Sequence, residues 1–531
     1  MKKLPLGIQS FRKIVEGDCI YVDKTQYVHS LLNEAQCYFL SRPRRFGKSL
    51  LLDTIAEAFS GDRELFRGLY IYNSDFSFEK HPVIRLDMSN IANKTPEVLE
   101  NELLFELKTR AYEEGISADI TTASALLKNL IEALSKKYDK RVVVLIDEYD
   151  KPILDRLSNT EIAEANRDVM RGFYGVLKSM DPFLRFTFIT GVTKFTKTSV
   201  FSGLNNLKDI TMAKKYANIC GIETDDLDVY FREHIGRLES LDEFVGYASV
   251  HDEILRWYDG YSWDGKTRVI NPYSLLSFFS DERFSSYWYA SGTPKFLLDL
   301  IKIRPKGYTG LSNMEIGEWA LDTFDIRRME VDPLLFQTGY LTVREVRPVP
   351  PPAVFYLEIP NFEVRMAFNL HIIAEFTESG ATFAESAYRR ISESLRNGEL
   401  QIMLETMRAL FSSIPYQLHI KSEYYYHSIF YAMMTLLGFD IDAEVPVSGG
   451  RIDAVLELDD KVYVIEFKYV ECPADATAEA RQVLMLKALD AGVEQITDRG
   501  YAKKYEGCGK TVYKAVFGFL GRDDIEMRAF V

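Results

Sequence analysis

The sequence of 531 residues predicts an α/β protein in several parts: an N-terminal parallel sheet flanked by helices, a helical middle region, and a smaller C-terminal α/β layer. Three observations carry that reading. Val142-Val143-Val144-Leu145-Ile146 is an unbroken apolar run, the pattern of a strand buried on both faces of a parallel sheet. Two further runs, Gln36–Leu40 and Arg185–Thr190, alternate with segments of helical spacing such as Pro96–Lys137. Near the C-terminus, Arg451–Leu458 and Val462–Lys468 flank Asp459-Asp460-Lys461, a hairpin signal.

Composition bounds what this fold can be. Hydrophobic residues at 47% and charged residues at 27% are close to globular averages, which excludes disordered, collagen-like and disulfide-dense classes. Domains of about 100 to 200 residues give roughly three here, expected at 1–220, 221–405 and 406–531. No run approaches the roughly 18 apolar residues of a membrane span, and Met1-Lys2-Lys3-Leu4-Pro5 lacks a signal peptide's apolar core. The expectation is a cytoplasmic protein with no membrane partner. Five cysteines without a C-x-x-C pair fit reduced thiols and argue against a structural zinc site. With 64 basic and 78 acidic residues the net charge is −14, so any contact with nucleic acid must be local.

The run Gln36–Leu40 leads through Ser41-Arg42-Pro43-Arg44-Arg45-Phe46-Gly47-Lys48-Ser49 into a helical stretch from Leu50 to Phe59. Strand, loop and helix in that order suit a phosphate-binding loop of pattern G-x-x-x-x-G-K-[S/T], in which backbone amides and the helix N-terminus cradle phosphates. Gly47, Lys48 and Ser49 fit; Arg42 replaces the first glycine and leaves the entry turn in question. Asp147-Glu148 ends an apolar strand, where Asp147 with Ser49 would hold Mg²⁺ and Glu148 would polarise the attacking water. The nucleotide-binding residues expected are Arg44, Arg45, Phe46, Gly47, Lys48, Ser49 and Asp147. Arg44 and Arg45 face either phosphate or a neighbouring subunit, so homo-oligomerisation stays open. Thr190 and Thr193 are either sensors of the γ-phosphate or strand-end hydroxyls satisfied by backbone.

From Gly221 to about Leu300 the spacing is helical and aromatic-rich, as in a helical lid. Beyond it, a helix at Leu334–Gln337 and a hairpin from Tyr340–Val343 to Val354–Ile359 fit a winged-helix-like module or a plain connector.

In the C-terminal hairpin a turn at Asp459-Asp460 pairs 458 with 461, which puts Asp453 opposite Glu466 with Lys468 on the same face. Ile452, Ala454, Leu456 and Leu458 against Tyr463, Ile465 and Phe467 form a core-facing surface, and a one-residue slip would mix the faces. Two such close carboxylates call for a cation, and oxygen ligation suits Mg²⁺ or Mn²⁺. A lysine beside a metal-bound water can orient it for attack on phosphorus. The alternative is an exposed hairpin with a cross-strand ion pair. Glu423, one helical turn from His427, is expected to complete the acidic cluster, and Gln495-Ile496 and Tyr501 to brace the lysine or touch substrate.

With both constellations in view, the chain resembles AAA-ATPase-like proteins carrying a C-terminal PD-(D/E)xK nuclease-superfamily domain. The resemblance rests on Tyr21-Val22-Asp23-Lys24-Thr25, Pro43–Ser49, Leu145–Asp150, Tyr258-Asp259-Gly260-Tyr261, Asn271-Pro272, Ile359-Pro360-Asn361 with Glu363-Val364-Arg365, Gly450–Asp453, Glu466-Phe467-Lys468 and Gln495-Ile496. It implies a P-loop NTPase module of AAA type that takes ATP, joined to a restriction-endonuclease-like α/β domain with Asp453, Glu466 and Lys468 as its nuclease signature. The expected function is cleavage of nucleic acid, DNA ahead of RNA, by a Mg²⁺-dependent nuclease under nucleotide control. The alternative is a nucleotide-dependent switch or scaffold that binds without cutting. A third, an ATP-driven remodelling machine, would need an oligomer with an arginine supplied in trans.

Overall fold

The computed structural model describes residues 1–194, 200–201, 204, 206–288, 314–321, 331–348, 352–368, 380–412, 440–447, 450–458, 460–473, 476–505, 507, 509–520 and 524–530. The chain forms two compact units. The first takes in Met1–Gly292 and Asn313–Asn361, and the second includes Phe362–Val531.

The first unit is built on β1 (Cys37–Ser41), β2 (Val83–Asp87), β3 (Val142–Asp147), β4 (Leu184–Gly191) and the short β5 (Lys208–Asp209). All pair in parallel, in the order β2-β3-β4-β1-β5. Every residue of β1 and β3 is buried, as their unbroken apolar sequences require of strands covered on both faces. The helices that cover them start and stop on local signals. In the helix Pro96–Glu113, Thr95 caps the amide of Val98, Pro96 occupies the first turn, and Leu99, Leu103, Leu107 and Ala111 bury one face at four-residue spacing.

Four helices, Thr224–Tyr230, Arg232–Glu239, Val250–Tyr258 and Pro272–Asp281, share a second core that includes Leu227, Phe231, Ile254 and Phe278. The helical reading of this stretch holds for these four segments, but between the last two the chain is extended, with Tyr261 bridged to Val269 and Ile222 to Ile270. Helix Val331–Thr338 then precedes β7 (Thr342–Arg347) and β8 (Val354–Glu358), the expected hairpin, to which β6 (Met314–Gly317) adds a third antiparallel strand that the sequence reading did not contain. All of this lies within the first unit.

Two quoted motifs meet here. Gly260 adopts φ +125°, and a Cβ there would stand 2.0 Å from the carbonyl oxygen of Pro360, while Asn361 donates to the carbonyl of Tyr258 at 3.1 Å. Only glycine satisfies both the dihedral and the approach. Gly260→Ala should cost about 3 kcal/mol or more, read as a lowered urea midpoint with an unchanged slope.

The second unit holds β9 (Asp440–Val447), β10 (Gly450–Glu457), β11 (Lys461–Val470), β12 (Thr511–Leu520) and β13 (Asp524–Phe530) in the order β13-β12-β11-β10-β9. β11 and β12 run parallel and the other pairs antiparallel. The helix Ala478–Asp498 makes the crossover between the parallel pair. It lies close to the sheet because both partners shed side chains: a Cβ on Gly492 would meet Val516 at 2.3 Å, and one on Gly518 would meet Met485 at 2.7 Å. The opposite face stacks Tyr463 on Tyr513 and Phe467 on Phe517, and the Tyr463 hydroxyl donates to the carbonyl of Leu395 at 2.7 Å. Among the described residues no helix is long and apolar enough to cross a membrane.

Candidate functional site

The first site forms where three strand ends of the parallel sheet meet. β4 lies between β1 and β3, so its last residues stand between the loop after β1 and the acids that end β3. The loop enters the helix Lys48–Ala58 through Gly47, whose φ of 88° is left-handed and free of strain in glycine. The helix presents its first-turn amides and the positive end of its dipole to that loop. Lys48 is buried and folds back over the loop, its Nζ donating to the carbonyls of Arg42 and Pro43 at 3.0 Å each.

Asp147 is the hub. Its Oδ2 accepts from Ser49 Oγ at 2.5 Å, and its Oδ1 accepts from Thr190 Oγ1 at 2.5 Å and from the Glu148 amide at 3.0 Å. Glu148 sits at φ 51°, a left-handed conformation unusual for a residue with a Cβ. Burial pushes its carboxyl up, with the Lys48 ammonium opposing. Thr193 is absent from this hub. Its amide and hydroxyl donate to Asp150 Oδ2 at 2.6 and 2.7 Å, a brace between the ends of β3 and β4. Asp150, although within the quoted run Leu145–Asp150, had no role assigned from sequence. It is fully buried, which pushes its carboxyl up against those hydrogen bonds.

Arg42, at the position of the missing glycine, is fully buried. Its Nη1 donates to the carbonyls of Ser41 and Thr211 at 2.9 Å, its Nη2 to that of Tyr216 at 3.0 Å, and its guanidinium lies 3.8 Å from the centroid of the Trp263 ring. Burial lowers its pKa to about 10. Arg42 thus ties the loop entry to the 211–217 segment, doing with a side chain what a glycine turn does with backbone. The next residues are also gripped. The Arg44 carbonyl accepts from Trp288, Arg45 lies over the Tyr273 ring at 3.8 Å, Phe46 packs edge-on to Tyr261 and Trp263, and Pro43 abuts Gly339. Arg45 and Phe46, expected at the nucleotide, therefore turn their side chains to an aromatic wall. Beside Gly47 lies an apolar cavity of about 110 Å³, lined by Ile20, Val22, Leu50, Ile219, Ile222 and Leu276 among others.

The second site lies in the C-terminal sheet. β10 and β11 pair Ala454 with Ile465 and Val455 with Val464, and the Leu458 amide donates to the Lys461 carbonyl at 2.7 Å. This is the register expected from the turn; the paired residues run from Ala454 and Ile465 to Glu457 and Val462, and Asp453 and Glu466 lie next beyond them. Asp453 Oδ2 accepts from the Phe467 amide at 2.8 Å. Glu466 is fully buried, and its Oε1 accepts from Lys468 Nζ at 2.7 Å; the lysine side chain keeps 21% of its surface exposed.

One expectation is enlarged. Ala454, Leu456, Tyr463, Ile465 and Phe467 of the core-facing surface are buried as read, whereas Leu458 is half-buried and Ile452 packs in the cluster with Val455, Val464 and Val516, through which the acid-bearing face is buried as well. The helix Ala478–Asp498 covers that face, packing Met485, Leu489 and Ile496 on those valines. The result is a central sheet with acids at the margin of its cover, not an exposed hairpin.

Gln495 and Tyr501 brace each other rather than the lysine: Gln495 Nε2 donates to the Tyr501 hydroxyl at 3.2 Å. Arg499 Nη1 donates to the same hydroxyl at 3.0 Å, a residue that no periodicity or motif singled out. Glu423 and His427 lie outside the described residues. Among the described residues no group of three or more His, Cys, Asp or Glu side chains is placed to hold a metal ion. Two carboxylates with a lysine can hold a hard divalent cation and position a water, and Ser49 with Asp147 can do the same beside a phosphate cradle.

Comparison with known proteins agrees with this division. Residues 5–201 match the model of a family described as "Predicted AAA-ATPase", and residues 421–528 match that of the PD-(D/E)XK nuclease superfamily. An "Uncharacterized protein in vnfD 5'region" of Azotobacter chroococcum mcd 1 is 36% identical over 536 residues, covering 100% of this chain and 98% of the relative. Among solved structures, a chain of Drosophila ORC bound to GC-rich DNA and Cdc6 aligns with a TM-score of 0.21 at 13% identity, over 56% of this chain and 44% of that one. The chain belongs to the family of proteins that join a predicted AAA-ATPase domain to a PD-(D/E)XK nuclease-superfamily domain.

Proposed function

We propose that the protein is a Mg²⁺-dependent nuclease, acting on DNA ahead of RNA, whose cutting is governed by ATP bound and hydrolysed at the parallel sheet. The observation that carries the reading is the bond from the Phe467 amide to Asp453, which brings that acid to β11 beside Glu466, with Lys468 held on Glu466, in a chain that also sets Ser49 on Asp147 at a phosphate cradle.

At the first site the amides of the loop and first helical turn bind the phosphates, and Lys48 exchanges the Arg42 and Pro43 carbonyls for phosphate oxygens. The cavity beside Gly47 takes the apolar face of the base. Ser49 and Asp147 would hold Mg²⁺, Thr190 orients Asp147, and Glu148 would receive a proton from the attacking water. At the second site Asp453 and Glu466 would be the protein's ligands for Mg²⁺ or Mn²⁺, with Glu423 offered as a third on its place in the sequence alone. Bound there, the cation supplies Lewis-acid stabilisation of charge on the scissile phosphate and lowers the pKa of its water. Lys468, its ammonium fixed by the bond to Glu466, would orient the water that attacks phosphorus.

The test is cleavage of single- and double-stranded DNA and RNA with Mg²⁺ or Mn²⁺, with and without ATP, by the intact protein and by Lys48→Ala and Glu148→Gln. Lys48→Ala should weaken ATP binding at least about a hundredfold, the loss of a buried charged contact to phosphate, and make cleavage insensitive to ATP. Glu148→Gln should bind ATP and hydrolyse it slowly. If the intact protein cuts nothing in any arm while binding ATP, the nuclease reading fails and the switch or scaffold takes its place.

A further inference from the structure

The mechanism above leaves one cation at the nuclease site unassigned. Arg499 directly follows the helix Ala478–Asp498, as its C-cap, and its side chain is exposed. That helix lies on the acid-bearing face of the sheet through Ile496, and Tyr501, fully buried, packs in the same cluster with Val455, Val464 and Val516. The Tyr501 hydroxyl receives Arg499 Nη1 at 3.0 Å and Gln495 Nε2 at 3.2 Å. A buried ring on the acid side of the sheet therefore fixes one edge of an exposed guanidinium. Among the described residues Arg499 makes no ion pair, so its other N–H groups have no committed carboxylate. Lys468, by contrast, is committed to Glu466.

We infer that Arg499 binds a phosphate of the nucleic-acid backbone next to the one being cut, with Tyr501 and Gln495 as the residues that position it. A planar guanidinium with one edge anchored and the rest open suits a phosphate, which accepts two parallel N–H bonds. Its placement on the acid side keeps it within electrostatic reach of the site. The Arg499 pKa is raised by the Tyr501 hydroxyl first and by Glu466 and Asp453 after it. A simpler role competes, since a cation at a helix C-terminus is favourable by itself.

The inference rests on the nuclease reading, and the experiment separates the two. Full-length protein, Arg499→Ala, Arg499→Lys and Tyr501→Phe are titrated with fluorescein-labelled duplex and single-stranded DNA, with Ca²⁺ in place of Mg²⁺, over a series of salt concentrations. Arg499→Ala should weaken binding roughly tenfold and reduce the slope of log K against log salt by about 0.9 on duplex or about 0.7 on single strands, the loss of one phosphate contact. Arg499→Lys should keep the slope. Tyr501→Phe should keep it too but raise KM for cleavage, because the charge remains while its position is lost. An Arg499→Ala protein with a lowered melting temperature and an unchanged slope would overturn the inference in favour of the helix-end role. Unchanged DNA binding with tighter Mn²⁺ binding would overturn it in favour of a counter-charge to the carboxylates. If the intact protein binds and cuts no nucleic acid, the nuclease reading falls first and this inference with it; if it cuts and the slope holds, the inference alone falls.

Discussion

Asp453→Asn should lower kcat/KM for cleavage at least about a thousandfold, some 4 kcal/mol of transition-state stabilisation, and leave ATP binding unchanged. The amide is nearly isosteric with the carboxylate and still offers an oxygen to the Phe467 amide, which Asp453 Oδ2 now accepts at 2.8 Å. The strand pair should therefore keep its register. What is lost is the negative charge that Asp453 brings to β11 next to Glu466, and with it most of the attraction for a divalent ion. The reading predicts a matching loss of Mn²⁺ affinity in the absence of substrate. Retained cutting in Asp453→Asn with an unchanged melting temperature would move the chemistry elsewhere in the chain.

Arg42→Gly restores the first glycine of the general phosphate-loop pattern, and it should destabilise the protein by about 4 kcal/mol while weakening ATP binding. Four consequences of deletion combine: the carbonyls of Ser41, Thr211 and Tyr216 lose their donors, and Trp263 loses the guanidinium stacked on its ring. Each buried acceptor left unpaired costs about 1 to 3 kcal/mol, and the cavity adds to that. Arg42→Lys should recover part of the loss, because an ammonium can reach fewer of these carbonyls and stacks less well. Urea unfolding and calorimetric titration with ATP would measure both effects. Equal stability and tighter nucleotide binding in Arg42→Gly would mean that the arginine is a tolerated departure and not part of how this loop is held.

The parts legible in the sequence were those whose signal is local. The apolar run Val142–Ile146 announced a doubly covered strand, and Gly47-Lys48-Ser49 announced the helix start that follows it. The hairpin register was legible because a two-residue turn and a period of two leave one arrangement that keeps Ala454, Leu456, Ile465 and Phe467 on one face. Long-range partners were not. Nothing near Arg42 says that Trp263 lies over it, and nothing near Asp453 says that the cover of its face comes from a helix beginning at Ala478. Arg499 was missed for the same reason: it is an ordinary charged residue at a helix end until the buried hydroxyl of Tyr501 is seen to hold it. Burial of the acid face was underestimated because alternation along one hairpin does not show the crossover helix to β12 that lies over it.

The insertion of β4 between β1 and β3, together with the seating of Gly339 on Pro43, has a consequence for how the protein is made. A chain leaving the ribosome from its N-terminus exposes Arg42–Ser49 early, yet β1 has no neighbour until Thr187 and its flanking residues emerge, and the loop's last packing partners come near residue 340. Pairings of such long sequence separation form slowly. The growing polypeptide should therefore hold an unfinished nucleotide cradle through most of its translation, a state suited to chaperone capture. Asp453 and Glu466 are synthesised only after every element that shapes the cradle, so the sheet of the nuclease-superfamily domain is assembled in a molecule whose AAA-ATPase-like domain already has all its parts.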